Sequence, residues 1–174
     1  MFRPNHVILA IDPGTREFGY AVLTGHRLLA HGAISLRAHV RRHRLEAIRR
    51  RIRSLAATHA PGTIVVEKTY RHPVPWLDLL DGITRCARAI ARRRRLRFAT
   101  YAPQAVRQTV VGNGRASKIE ASHAVAHRFP QLRLYLSQDR RWKERLWRNM
   151  FDAVALALHH QSVTQPPSRS RSSG

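Results

Sequence analysis

HVILAIDPGTREFGYAVLTGHRLLAHGAI, residues 6–34, decides the fold class. His6 to Asp12 reads as a buried strand, Pro13-Gly14-Thr15 as a turn, and Phe18 to Leu23 as a second strand. Thr24-Gly25-His26 turns the chain again into a third strand, Arg27 to Ile34. Three short strands joined by tight turns predict an antiparallel meander. From about Arg37 to Ala57 the period changes: Val40, Leu45, Ile48, Ile52 and Leu55 recur at near-helical spacing with arginines and histidines between them. This predicts an amphipathic helix with a basic outer face, ended by Pro61-Gly62.

Downstream, strand and helix alternate. Thr63 to Glu67 (TIVVE) is a β-branched run of the kind found in central strands. A helix follows from Trp76 to about Arg94, then a fifth strand from Leu96 to Tyr101, a short helix from Pro103 to Val110 and a turn at Gly112-Asn113-Gly114. Ala116 to Phe129 and Arg145 to His160 read as further helices, separated by a polar, aromatic-containing connection at Pro130 to Glu144. The pattern predicts an α/β protein with a mixed five-stranded sheet and helices on both faces. Residues 1–163 read as one domain and 164–174 (TQPPSRSRSSG) as a disordered basic tail.

Charge narrows the partner. Thirty-two basic against 10 acidic residues give a formal charge of +22, with lysine only at Lys68, Lys118 and Lys143. Arginine's planar fork matches phosphate oxygens, so nucleic acid is the leading partner. A drift from lysine toward arginine would explain the choice of base but not the excess over acids. The single cysteine, Cys86, excludes an internal disulfide, fits a reducing compartment, and reads as core in an apolar helix. No apolar run approaches the ~20 residues that span a bilayer and no signal peptide is legible, which points to the cytoplasm.

The informative acids stand in apolar surroundings. Asp12 closes ILAI, Glu67 closes TIVV, and Asp152 interrupts MFDAVALAL. A buried carboxylate is costly unless a cation compensates it, and three that converge repel one another. A hard divalent cation such as magnesium or manganese relieves both problems. Alternatively, each acid pairs with one of the many arginines.

Ile11-Asp12-Pro13-Gly14-Thr15 with Phe18-Gly19-Tyr20 resembles the opening strand signature of RuvC-type Holliday-junction resolvases, which are built on an RNase H-like fold. Glu67 at the end of TIVVE is similar to that family's second acid. Thr100 to Lys118 (TYAPQAVRQTVVGNGRASK) resembles its segment ending in a glycine-containing loop and a lysine, and Asn149 to Leu156 (NMFDAVAL) resembles its last helix. The four motifs occur in the right order across residues 6 to 162.

The resemblance implies a crossover junction endonuclease in which Asp12, Glu67 and Asp152 hold two magnesium ions per active site, manganese substituting, for hydrolysis of a phosphodiester bond. It implies that Lys118 stabilises developing charge at the scissile phosphate, and that Arg107 and Arg115 contact DNA backbone. Tyr70 falls where the family carries an aromatic that stacks at the junction centre. It further implies a homodimer, since two symmetric nicks in a four-way junction require two sites related by a two-fold axis. Without the resemblance, Lys118 could equally be a solvated helix-start lysine, Tyr70 a loop tyrosine packed on the core, and Arg92 to Arg95 a solvated helix end. His159 and His160 read as a helix end about two turns beyond Asp152, too far to share its ion.

Two departures from the family stand out. Asn149 occupies the position one turn before the last Asp, where an acid or histidine is usual; it can offer a metal one neutral oxygen but can neither neutralise it nor act as a base. The segment Leu132 to Arg148 is longer and more aromatic than the usual connection, with Trp142 and Trp147 expected to cap the core or, alternatively, to contact DNA. Asn149 keeps a second function open, a junction-binding protein with little or no cleavage. A third is an RNase H-like nuclease acting on another nucleic acid.

Overall fold

The computed structural model describes residues 6–15, 17–35, 41–69, 77–136 and 141–164, without the side chains of 41–42, 77–78 and 141–146. Its sheet is built from β1 (Ile8–Asp12), β2 (Glu17–Thr24), β3 (Arg27–Ser35), β4 (Thr63–Glu67) and β5 (Arg97–Tyr101), in the order β3-β2-β1-β4-β5. The first three form the expected antiparallel meander, while β4 and β5 run parallel to β1. The helices are α1 (Arg41–His59), α2 (Leu77–Arg93), α3 (Pro103–Val111), α4 (Lys118–Arg128) and α5 (Arg141–Thr164), with a 3-10 helix at Pro130–Tyr135.

Strand alternation divides the core into two layers. Leu9, Ile11, Ile64 and Val66 pack against Ile48 and Ile52 of α1 and Ile83 and Ile90 of α2. On the other face, Ile8, Ala10 and Val65 pack against Val154 and Leu156 of α5, with Val106 of α3 and Val125 of α4 closing the layer. The expected helices on both faces are therefore present, and β1 and β4, buried on both sides, carry the apolar runs that such strands require. The outer face of α1 is basic as expected, with Arg49, Arg50, Arg51 and Arg53 exposed.

Three expectations need correction. The last helix begins at Arg141 rather than Arg145 and continues past His160 to Thr164, so part of the supposed connection and the first residue of the supposed tail are helical. The remainder of that connection includes the 3-10 helix, whose Leu132 is fully buried. Cys86 is half-buried rather than core. Residues 165–174 of the expected tail lie outside the described residues.

Candidate active site

Asp12 and Glu67 end β1 and β4. Ile11 lies opposite Val66 in the parallel ladder, so the next residues, Asp12 and Glu67, stand side by side at the C-terminal ends of neighbouring strands. Adjacent strands are about 4.8 Å apart. Parity fixes their direction: Ala10 and Val65, two residues earlier, belong to the layer under α5, so both carboxylates belong to that face as well. Asp12 is buried, at 4% exposure.

Asp152 approaches from α5, its side chain 12% exposed. That approach depends on glycine: a Cβ at Gly19, which pairs with Asp12 across β1 and β2, would overlap the backbone of Asn149 and Met150. Gly14 is constrained likewise, since a Cβ there would overlap the Glu17 carbonyl and crowd the Asn149 amide. Asn149 Nδ2 donates to the Glu17 carbonyl at 3.1 Å, tying α5 to the start of β2. The amide nitrogen is thereby committed to the fold, leaving Oδ1 as the atom with which Asn149 could serve an ion.

Lys118 is the first residue of α4, and its Nζ donates to Asp152 Oδ2 at 2.5 Å. Its position is set by two well-formed ends. Gly112 terminates α3 in the left-handed region, at φ 80°. Ser117 caps α4: its side chain accepts from the Glu120 amide while the Glu120 carboxylate accepts from Ser117. The glycine loop between them is braced by Gln108, whose side chain bonds to both Gly112 and Gly114. Arg107 Nε donates to the Gly114 carbonyl at 3.3 Å.

The electrostatics are those of crowded acids. Burial, then the charges of Glu67 and Asp152, push the Asp12 carboxyl well above its usual range against the opposing pull of Lys118. Burial and Asp152 raise Glu67 to about 7, with Lys118 and Arg107 pulling the other way. Burial works against the charged form of Lys118, but Asp152, Asp12 and Glu67 together outweigh it and raise its pKa. Two carboxyls that resist ionisation beside a third make a donor set suited to a hard divalent cation. Among the described residues, however, no three His, Cys, Asp or Glu side chains are gathered closely enough to grip an ion as they stand. The donor chemistry nevertheless fits the cation.

Asp12, Glu67, Asp152 and Lys118 thus form one electrostatic group, with Arg107 at its edge through Glu67. Arg115 is exposed in the adjacent loop. Tyr70 lies outside the described residues, as does the side chain of Trp142. Trp147 packs against Tyr135 at 4.4 Å and adjoins the core, as expected of a capping aromatic. Sequence reasoning missed the surroundings of His159 and His160, which are not a helix end but buried: His159 Nδ1 bonds to the Thr109 hydroxyl at 2.6 Å and His160 Nδ1 to the Tyr101 hydroxyl at 2.8 Å. They tie α5 to α3 and β5. The signal available was the unbroken apolar period AVALAL leading into them.

Comparison with known proteins gives the family of the chain. Residues 8–160 match the family described as crossover junction endodeoxyribonuclease RuvC. A protein of Alkalilimnicola ehrlichii so described is 33% identical over 175 residues, covering 96% of this chain and 98% of that protein. One from Coxiella burnetii is 30% identical over 170 residues, 95% of this chain and 92% of that one. Among solved structures, T. thermophilus RuvC in complex with a Holliday junction substrate superposes with a TM-score of 0.74 at 22% identity, over 92% of this chain and 95% of that one. The yeast mitochondrial Holliday junction resolvase Ydc2 gives a TM-score of 0.65 at 14% identity, over 91% and 78%. At these identities the structural likeness is one of fold.

Proposed function

The chain belongs to the crossover junction endodeoxyribonuclease RuvC family, and from that premise we propose that it resolves four-way DNA junctions by paired, metal-dependent nicks. The observation that carries the reading is the grouping of Asp12, Glu67 and Asp152 around Lys118 in a chain alignable with such enzymes over nearly its whole length. Asp12, Glu67 and Asp152 would hold magnesium, or manganese in its place, at two ions per site, with Asn149 Oδ1 as a neutral supplementary ligand. When bound, the ions supply Lewis acidity toward the phosphate and lower the pKa of a water.

The chain's own residues do the rest. Rigid strand ends and one helix face hold the carboxylates in position. Lys118, kept protonated by the acids around it, stabilises negative charge that develops on the phosphate oxygens. Arg107 and Arg115 contact backbone phosphates on the glycine-loop side, and Tyr70, three residues after Glu67 in the sequence, stacks at the junction centre. A homodimer supplies the second site for the symmetric nick. A cytoplasmic location fits the lone cysteine, and no described helix is long and apolar enough to cross a membrane.

One observation favours a second reading, binding without cleavage: the Lys118 ammonium already occupies Asp152. End-labelled four-way junction, linear duplex and RNA–DNA hybrid, incubated with magnesium or manganese, separate the two. Symmetric nicks in the junction alone support the resolvase. Tight junction binding without nicks supports the binding protein, and cleavage of the hybrid in preference to the junction overturns both.

A further inference from the structure

A cavity of about 180 Å³ adjoins Lys118, and none of the three carboxylates is among the described residues that line it. Its lining combines aromatic and apolar side chains with Ser122, His123 and two exposed cations, Lys118 and Arg148. Tyr135 and Leu136 come from the end of the 3-10 helix, Trp147 and Phe151 from α5; Phe151 is buried and Tyr135 packs on Trp147 at 4.4 Å. Lys118 and Arg148 stand at the rim. Arg148 lies one helical turn before Asp152, about 6 Å along α5, so the cavity mouth and the carboxylates are within a nucleotide's reach of each other. We propose that this cavity takes one unstacked nucleobase next to the scissile phosphate, the base resting against the contacting Tyr135–Trp147 pair and Leu136 while Lys118 and Arg148 hold the phosphates on either side.

The chemistry selects this occupant. A planar ring presents an apolar face that suits aromatic walls, and its backbone carries anions that suit a cationic rim. The volume matches one ring system and is too small for a folded partner's helix. Lys118 belongs both to the cavity wall and to the Asp152 pair, so a base seated here would align its own phosphate with the carboxylates. The inference rests on the junction-cleaving reading for the identity of the strand, but none of the described residues lining the cavity is among those proposed to hold the metal.

Ile119 offers a clean plug, because it is 62% exposed on α4 and lines the same cavity, so a larger side chain fills the space without entering the core. Junctions carrying a single abasic nucleotide at each position near the crossover are titrated in EDTA against wild type, Ile119→Trp and Trp147→Ala, with thermal melts of each protein. At one position the abasic junction should bind wild type about tenfold more weakly than the intact one. That difference should vanish in Ile119→Trp, whose affinity for intact junction should already equal the abasic value. Abasic junctions that all bind within twofold of the intact one, or a difference that persists in the plugged variant, overturn the proposal. If Trp147→Ala melts early, Ile119→Trp alone decides. Failure of wild type to nick the intact junction in magnesium would count against the resolvase reading instead, since base capture is read without cleavage.

Discussion

Glu67 and Asn149 are the residues whose individual chemistry can be tested. Burial and the neighbouring Asp152 raise Glu67 from 4.5 to about 7, so the folded protein resists ionising it while the unfolded chain does not. A group of this kind contributes stability that is fully present below pH 4.5 and is lost as pH rises through about 7. In EDTA, Glu67→Gln should therefore be more stable than wild type by about 3 kcal/mol at pH 8.5, the difference narrowing to under about 1 kcal/mol at pH 5. Urea unfolding at the two pH values checks this, and equal differences would mean that Glu67 is not crowded. In magnesium, Asp12→Asn, Glu67→Gln and Asp152→Asn should each abolish nicking while junction binding, measured in EDTA, is retained, because no phosphate-binding cation is removed. Asn149→Ala should cost about 1 kcal/mol through loss of its bond to Glu17. Asn149→Asp should cost more, since a carboxylate would face that carbonyl, yet it should lower the magnesium needed for half-maximal nicking while Asn149→Ala raises it. Unchanged midpoints in both variants would remove Asn149 from the metal site.

At the scale of elements, α5 decides the geometry, and Gly19 decides how closely α5 approaches the sheet. Gly19→Ala would press a methyl into the backbone at Asn149 and Met150, on the helix that carries Asp152. It should destabilise the fold by roughly 2–3 kcal/mol. Any folded fraction should nick poorly, because Asp152 moves with the helix. Gly25 makes the contrast: it sits at φ 54° with nothing near its would-be Cβ, so Gly25→Ala should cost only about 1 kcal/mol of conformational strain and leave nicking intact. Chemical denaturation of both variants, with nicking rates at low temperature, compares the two. Similar losses would show that overlap with α5 is relieved by movement of the strand.

At the scale of the whole molecule, a formal charge of +22 with exposed arginines along α1 makes the protein a polycation with a small acidic centre. Displacement of counterions should dominate junction affinity, which is expected to fall roughly a thousandfold between about 50 and 200 mM salt. Equilibrium titration with fluorescent junction measures the slope, and a nearly flat response would argue against backbone recognition. The preference for four-way junction over linear duplex should survive across the same range, because it comes from shape and stacking at the crossover rather than from screened charge.

Much of the fold was legible because its signals are local. The short apolar runs within 6–34 and at 63–67 and the shift to helical spacing in α1 depend only on near neighbours, and they made the strands, the meander and the alternation of strand with helix legible. Asp12 and Glu67 were legible for the same reason, since a carboxylate that ends an apolar strand is anomalous in its own segment. The start of α4 at Lys118 was equally open to reading through Ser117 and Glu120, although Ala116 was the expected start. Tertiary structure alone decided the rest. The pairing of Lys118 with Asp152 spans 34 residues, His159 and His160 bond to Thr109 and Tyr101, 50 and 59 residues earlier, and the cavity is assembled from three elements. Such contacts are set by how far one helix slides and turns against a twisted sheet. That register is fixed by the packing of the whole core, and the period of a single segment does not contain it.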